Sequence, residues 1–196
     1  MSRFEDLEGN NLKEAIEQVP SISGSRPLDA SSIMFDNRRL YLIDSQQSAE
    51  LKEGDIAVNR SVSGCTILEV DFGDHVEIFH ISAGTFTLVK QYPEEDTLDI
   101  NDKFFARKLR RLGEKSGVKG IRYYINQIHS GRDDDRRERI FNLNATALKN
   151  ISDNCEILEV KKADGTQTDD MFESVDILTD GKQARVLQDG FIIERL

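Results

Sequence analysis

The stretch from Thr66 to Ile81 constrains the fold more than any other part of the chain. It contains two runs that have the composition of β-strands, 66–72 and 76–81, which flank the dipeptide Gly73-Asp74. Glycine in a tight turn supplies the positive φ that a two-residue hairpin turn requires. The sequence therefore predicts an antiparallel β-hairpin at this position.

The length of the turn determines which side chains share a face of this hairpin. If Phe72 pairs with His75, then His80 lies opposite Ile67. Because side chains alternate with a period of two, Cys65 and Ile67 share a face, and Cys65 becomes a diagonal neighbour of His80. Diagonal positions are roughly 7 Å apart at the backbone, close enough for a thiol and an imidazole to meet. A turn longer by one residue would place His80 on the opposite face.

Strand patterns on both sides of the hairpin predict an α+β fold. The further predicted strands are 40–43, 55–58, 85–90, 120–125, 139–143, 156–161, 175–178 and 184–193, with a turn at 180–181 between the last two. Apolar residues at helical spacing predict a short helix at 12–18 and a main helix at 101–117. We expect a mixed, mostly antiparallel β-sandwich or sheet flanked by helices, in a single domain over 1–196. Residues 1–38 would form an N-terminal clasp and 39–196 the core.

The charge balance and the cysteine count exclude several classes of protein. The chain has 36 acidic and 26 basic residues and a net charge of −10, which opposes the counterion release that drives nucleic-acid binding. We expect no nucleic-acid partner and a monomer. The chain has no apolar run long enough to span a membrane and no secretory pattern at its start, so we expect synthesis in the cytoplasm. Two cysteines without a CxxC, HxH or HExxH pattern predict neither a disulfide framework nor a metal site.

Cys65 and His80 together have the composition of a nucleophilic site. A thiol is a weak nucleophile until it ionises, and a neighbouring imidazole stabilises the thiolate. Ser63 and Gly64 directly precede the cysteine. Glycine lets the backbone approach a substrate closely, and amide groups near Cys65 can point at a developing oxyanion. The competing interpretation is that Cys65 is a small buried apolar residue and His80 a hydrogen-bonded core residue.

The segment Val62-Ser63-Gly64-Cys65, followed fifteen positions later by His80, resembles the catalytic signature of the cytotoxic necrotizing factor deamidase domains. That signature reads Leu-Ser-Gly-Cys with a histidine on the next strand, so this chain differs by a valine in place of leucine. The Burkholderia lethal factor deamidase and the chemoreceptor deamidase CheD resemble it more distantly. The matching segment covers about a quarter of the chain. The resemblance implies that Cys65 is the nucleophile and His80 its proton acceptor.

In those proteins a third group, a Thr side-chain oxygen or a backbone carbonyl, orients the histidine from upstream of the motif. Asn59 lies six residues before Cys65, and its side-chain carbonyl is the candidate for this role. An ordinary strand-end position for Asn59 is the alternative. His75 beside the predicted turn, His129 in a loop and Cys155 without a histidine nearby in sequence are weaker catalytic candidates.

The resemblance implies a protein-glutamine deamidase that needs no cofactor. Such an enzyme converts a regulatory glutamine of a target protein to glutamate. The implied biological role is that of a bacterial toxin or effector, exported without a cleaved signal and active in the host cytosol on a GTPase or a translation factor. The same acyl-enzyme chemistry is open to transglutamination and to proteolysis. Outside the enzymes, the alternative is a non-enzymatic protein-interaction module.

Overall fold

The computed structural model describes residues 10–18, 29–62, 65–81, 117–126, 145–146, 148–160, 175–188 and 191–195. Within these ranges the chain forms a helix, α1, and eleven strands. Their bounds are α1 Asn10–Gln18, β1 Ser31–Phe35, β2 Arg38–Ile43, β3 Ser48–Leu51, β4 Ile56–Val62, β5 Thr66–Asp71, β6 Val76–Ile81, β7 Gly120–Asn126, β8 Cys155–Val160, β9 Val175–Thr179, β10 Ala184–Gln188 and β11 Phe191–Arg195. None of the helices in the described ranges is both long and apolar enough to cross a membrane.

The strands form two mixed sheets. The six-stranded sheet has the order β1-β2-β4-β9-β10-β11, and the five-stranded sheet has the order β3-β6-β5-β7-β8. The pairs β2–β4 and β7–β8 are parallel, and the other pairs are antiparallel. The predicted fold class, an α+β chain with mixed, mostly antiparallel sheets, is confirmed.

The two sheets pack face to face. Ile43, Ala57 and Ile177 of the six-stranded sheet contact the same apolar cluster as Ile67 and Ile78 of the five-stranded sheet, and all five are fully buried. Because side chains alternate along each strand, every second residue faces this layer. We call it the inter-sheet core.

The outer faces of both sheets are also covered. Leu12 and Ala15 of α1 pack against Leu40 and Val58 on the outer face of the six-stranded sheet. Phe79 belongs to a separate apolar cluster on the outer face of the five-stranded sheet. The helix begins close to the predicted position, and its apolar residues at i and i+3 face the sheet as the helical period requires.

Most predicted strands in the described ranges are confirmed, with three differences. The predicted run 184–193 is two strands, β10 and β11, in which Gln188 pairs with Phe191. The edge strand β1 lies in the predicted clasp and pairs with β2. The short strand β3, Ser-Ala-Glu-Leu, was not predicted because it has no β-branched or aromatic residue. The predicted strands 85–90 and 139–143 and nearly all of the helix 101–117 lie outside the described residues.

Candidate active site

Strand β4 carries a bulge immediately before the Cys65 segment. Between Asn59 and Val62, three residue steps on β4 oppose two on β9. Ser61 has a φ of 54°, in the left-handed region that side chains rarely adopt, and its amide donates to Asp176 Oδ1 at 2.8 Å. Bulges bend a strand and redirect the residues that follow. Here the chain leaves the six-stranded sheet, and the next strand, β5, belongs to the other sheet, so Cys65 lies at the crossing.

The hairpin formed by β5 and β6 has the predicted register. The Phe72 amide donates to the His75 carbonyl at 3.0 Å across the turn, and Gly73 has a φ of 94°. His80 is paired with Ile67. A two-residue turn produces this register, and it directs both side chains toward the inter-sheet core.

Cys65 and His80 both lie in the inter-sheet layer. Cys65 packs against the inter-sheet core and is half-buried, whereas His80 is fully enclosed. The cysteine is therefore reachable from solvent and the imidazole is not. Ser63 and Gly64, the predicted oxyanion residues, lie outside the described residues.

The ring of His80 is oriented by a backbone carbonyl from the opposite sheet. His80 Nδ1 is 3.2 Å from the carbonyl oxygen of Ile43, the last residue of β2. A carbonyl can only accept a hydrogen bond, so Nδ1 carries the proton. His80 Nε2 is buried and has no hydrogen-bond partner among the described residues. In the neutral ring Nε2 is the proton acceptor.

The surroundings of His80 keep this ring neutral. Burial lowers the pKa of His80 to about 4, and the hydrogen bond to Ile43 and the Asp44 carboxylate oppose this shift. Desolvation disfavours the charged form of an imidazole, whereas an acceptor and a nearby carboxylate favour it. At neutral pH His80 is therefore an uncharged base, and its conjugate acid would be stabilised by two neighbouring groups.

Asn59 lies beside the carbonyl that orients the histidine. It pairs with Ile43 across the parallel strands β2 and β4, and with Ile177 on β9, so its side chain faces the inter-sheet core. Asn59 is fully buried, and neither polar atom of its side chain has a hydrogen-bond partner in the described part of the chain. The hydrogen bond to His80 for which Asn59 was a candidate is made by the Ile43 carbonyl.

The weaker candidates lie elsewhere. His75 stacks on Phe72 with 4.9 Å between ring centroids, and its Nδ1 is 2.8 Å from Asp74 Oδ1 at the hairpin turn. Cys155 packs against the outer cluster of the five-stranded sheet, and burial raises its pKa. His129 lies outside the described residues. In the described ranges no three His, Cys, Asp or Glu side chains are grouped as a metal would require.

A buried ion pair that sequence analysis missed lies further along β5. Glu69 is 1% exposed, and its Oε2 is 3.1 Å from both Arg122 Nη2 and the hydroxyl of Tyr124, which donates to it. Burial raises the pKa of Glu69 and of Tyr124. A glutamate within the apolar run Thr-Ile-Leu-Glu-Val was the available sequence signal, since buried charges are paired. Four residues of strand, roughly 13 Å, separate this pair from Cys65.

Comparison of the sequence with known proteins does not identify a family for this chain. No protein-family model matches the chain, and no curated protein matches it. Among solved structures, the C-terminal domain of CNFy from Yersinia pseudotuberculosis is similar, with a TM-score of 0.33 and 9% identity, over 83% of this chain and 62% of that one. The chain thus spans less than two thirds of that structure's length. A likeness at this TM-score does not establish a common fold, so function has to be inferred from the site itself.

Proposed function

We propose that the protein is a cysteine-dependent protein-glutamine deamidase in which Cys65 is the nucleophile and His80 its proton acceptor. The observation that carries the proposal is the hydrogen bond between His80 Nδ1 and the Ile43 carbonyl. It holds the ring proton on Nδ1 and leaves Nε2 as the acceptor. His80 pairs with Ile67, and Cys65 packs against the cluster that contains Ile67. The segment Val62-Ser63-Gly64-Cys65 with His80 on the next strand supports the choice of reaction class.

The reaction follows from these two groups. The Cys65 thiol gives its proton to His80 Nε2, and the sulfur attacks the carbon of a glutamine side-chain amide. The carbon–nitrogen bond then breaks, the proton on Nε2 passes to the leaving nitrogen, and ammonia departs from a thioester. Because His80 is fully enclosed, the second half-reaction requires Nε2 to become accessible from the Cys65 side. Water then gives a proton to Nε2 and its oxygen adds to the thioester carbon. The carbon–sulfur bond breaks, the thiolate regains its proton, and glutamate is released.

Two groups offset part of the cost of charging the buried His80 ring during this reaction. The imidazolium formed in each half-reaction keeps its Nδ1 hydrogen bond to the Ile43 carbonyl, and the Asp44 carboxylate favours the same charged form. We assign the developing oxyanion to backbone amides near Ser63 and Gly64. The side-chain amide of Asn59 faces the same core without a hydrogen-bond partner among the described residues.

The substrate we propose is a protein. Deamidation replaces an amide, which both donates and accepts hydrogen bonds, with a carboxylate that carries a negative charge. In a GTPase, the loss of a water-positioning glutamine stops hydrolysis, so one modification can switch a target protein. By its resemblance in the cysteine motif, we assign the chain to bacterial toxins or effectors that act on a host GTPase or translation factor. Its net charge of −10 favours neither a nucleic-acid substrate nor self-association.

The test is mass spectrometry of host-cell lysate proteins after incubation with the wild type, Cys65→Ser or His80→Gln. The expected result is conversion of a specific glutamine to glutamate by the wild type and by the control variant Cys155→Ser, but not by the other two. Amine adducts at glutamine would indicate transglutamination, and cleaved chains would indicate proteolysis. Lysates unchanged by all four proteins would favour the interaction module and refute the proposal.

Native-state alkylation tests the pair without a substrate. A histidine-assisted thiol reacts quickly with iodoacetamide near neutral pH, whereas a packed thiol resists it. We expect Cys65 to be labelled much faster than Cys155, whose pKa burial raises, and we expect His80→Gln to slow the labelling of Cys65. Equal labelling of Cys65 in the wild type and in His80→Gln would exclude His80 as its base.

A further inference from the structure

An ion pair lies at the end of β2, the strand whose last carbonyl orients the His80 ring. Asp44 directly follows Ile43, whose carbonyl receives the His80 hydrogen bond. Arg60 on β4 binds the Asp44 carboxylate at two points, with 2.9 Å from Nε to Oδ1 and 2.6 Å from Nη2 to Oδ2. A two-point contact between a guanidinium and a carboxylate fixes both position and orientation. The Arg60 side chain is 20% exposed, so solvent screens this pair less than one at the surface.

Asp44 is also the first residue of a turn, residues 44–47, which two hydrogen bonds hold together. The Gln47 amide donates to the Asp44 carbonyl at 3.0 Å, and the Asp44 amide donates to Gln47 Oε1 at 2.9 Å. Gln46, inside this turn, has a φ of 69°. A side-chain-bearing residue in the left-handed region costs free energy and persists only where surrounding contacts fix it.

This turn also holds the backbone of His80. The His80 amide donates to the Gln47 carbonyl at 3.0 Å, and the Gln46 amide donates to the His80 carbonyl at 2.8 Å. The turn of residues 44–47 therefore fixes both backbone groups of His80, while Ile43, one residue earlier, fixes its ring. The Asp44–Arg60 ion pair ties this turn to β4, the strand that leads into the Cys65 segment.

We propose that Asp44 and Arg60 are positioning residues for the reaction of Cys65 with His80. Their ion pair holds the turn 44–47 and the Ile43 carbonyl in place, and through them it holds the imidazole with its proton on Nδ1 and Nε2 as the acceptor. This role rests on the proposed function of the Cys65–His80 pair. Neither residue touches the reacting atoms in the proposed mechanism.

Asp44, after β2, is the ionisable group among the described residues that acts on His80 electrostatically. The inter-sheet layer that holds the ring also contains Asn59 on β4, Cys65 before β5, Tyr124 on β7, and Glu69 on β5, which pairs with Arg122. Arg60 partly neutralises the charge of Asp44. The variant Asp44→Asn should therefore lower the pKa of His80. In Arg60→Ala the loss of the cation raises this pKa and a weaker Ile43 hydrogen bond lowers it. The readout that a merely structural role would not move is therefore the Nδ1–H tautomer of His80.

The matched control is a second four-residue turn at the other end of β4. There the Lys52 amide donates to Asp55 Oδ2 at 3.0 Å and the Asp55 amide donates to the Lys52 carbonyl at 3.0 Å. Asp55, like Asp44, is half-buried in a turn that joins two strands. The variant Asp55→Asn thus removes a turn carboxylate of the same kind that is remote from His80.

The experiment combines nitrogen NMR of the histidine rings with the rate of Cys65 alkylation, in the full chain with Asp44→Asn, Arg60→Ala, Arg60→Lys or Asp55→Asn. We expect the wild type and Asp55→Asn to keep the Nδ1–H form of His80 and equal alkylation rates. In Arg60→Ala the ring should populate both tautomers, and alkylation should slow on the order of tenfold to a hundredfold. Arg60→Lys keeps the charge without the two-point contact, so it should give an intermediate rate, and it serves if Arg60→Ala does not fold.

The outcomes separate this inference from the proposed function. An unchanged His80 tautomer and unchanged alkylation in both Arg60 variants would overturn the positioning role, whether or not the protein deamidates glutamine. The expected NMR and alkylation changes, in a protein that modifies no lysate protein, would support the positioning role and refute the deamidase.

Discussion

Replacing His80 with glutamine should remove a large part of the loss of stability that the protein shows between pH 7 and pH 5. Burial lowers the pKa of His80 to about 4 in the folded protein, whereas an unfolded histidine titrates near 6.5. As the pH falls through 6.5, the histidine of the unfolded chain binds a proton, whereas His80 of the folded chain does not bind one until about pH 4. The contribution of His80 to stability is therefore fully present above pH 6.5 and is lost as the pH falls toward 4.

The magnitude follows from the two pKa values. Each unit of difference corresponds to about 1.4 kcal/mol, so the full loss is about 3 kcal/mol. Between pH 7 and pH 5 the unfolded state takes up most of its proton and the folded state almost none, which gives a loss of about 2 kcal/mol in the free energy of unfolding. His80 is fully enclosed, so solvent does not reduce this value as it would for an exposed group.

Urea unfolding at the two pH values measures this loss, in the wild type and in His80→Gln. The raised pKa of Glu69 acts in the opposite direction, but it is present in both proteins and cancels in the comparison. The variant His75→Gln is the control for the loss of an imidazole, because its ring lies at the hairpin turn and is not enclosed. If His80→Gln and the wild type lose the same free energy on acidification, His80 is not a buried neutral base and the proposed proton acceptor is wrong.

Two further predictions concern the packing of the sheets. Gly181→Ala should destabilise the protein by roughly 1–3 kcal/mol more than Gly54→Ala. Both glycines have positive φ, but a Cβ at Gly181 would be 2.8 Å from Val76 Cγ2, whereas the space at Gly54 is open. Equal midpoints of urea unfolding for the two variants would contradict this. Arg122→Met should cost about 3 kcal/mol by leaving the Glu69 carboxylate buried without its cation. Because Glu69 can then bind a proton, thermal unfolding should show a smaller cost at pH 5 than at pH 8, and a cost independent of pH would refute this explanation.

The part of the candidate site that could be predicted is the part governed by local rules. The dipeptide Gly73-Asp74 sets a two-residue turn, and the turn length with the alternation of side chains sets the pairing of His80 with Ile67. These rules need only the residues of one hairpin. Strand β3 does not follow from such local rules, because a four-residue strand without β-branched side chains forms only through its pairing with β6.

The groups around His80 could not be predicted in the same way. The acceptor of its hydrogen bond is a backbone carbonyl, and every residue has one, so no side-chain pattern marks Ile43 as the partner. Asn59 has the right chemistry and the right spacing from the cysteine, yet its polar atoms have no partner among the described residues. The ion pair of Asp44 and Arg60 joins residues sixteen positions apart, and it exists because β2 and β4 are parallel neighbours.

The sequence by itself determined the alternation of apolar side chains, the hairpin and its register, and hence the shared face of a thiol and an imidazole. Only the tertiary structure decided which strand end lies against the imidazole, which ring nitrogen is free, and that the ring is buried deeply enough to stay neutral. The physical reason is the separation along the chain over which each effect acts. Turn geometry and strand periodicity act between residues close in the chain, whereas burial and the orientation of a buried ring depend on how two whole sheets pack together.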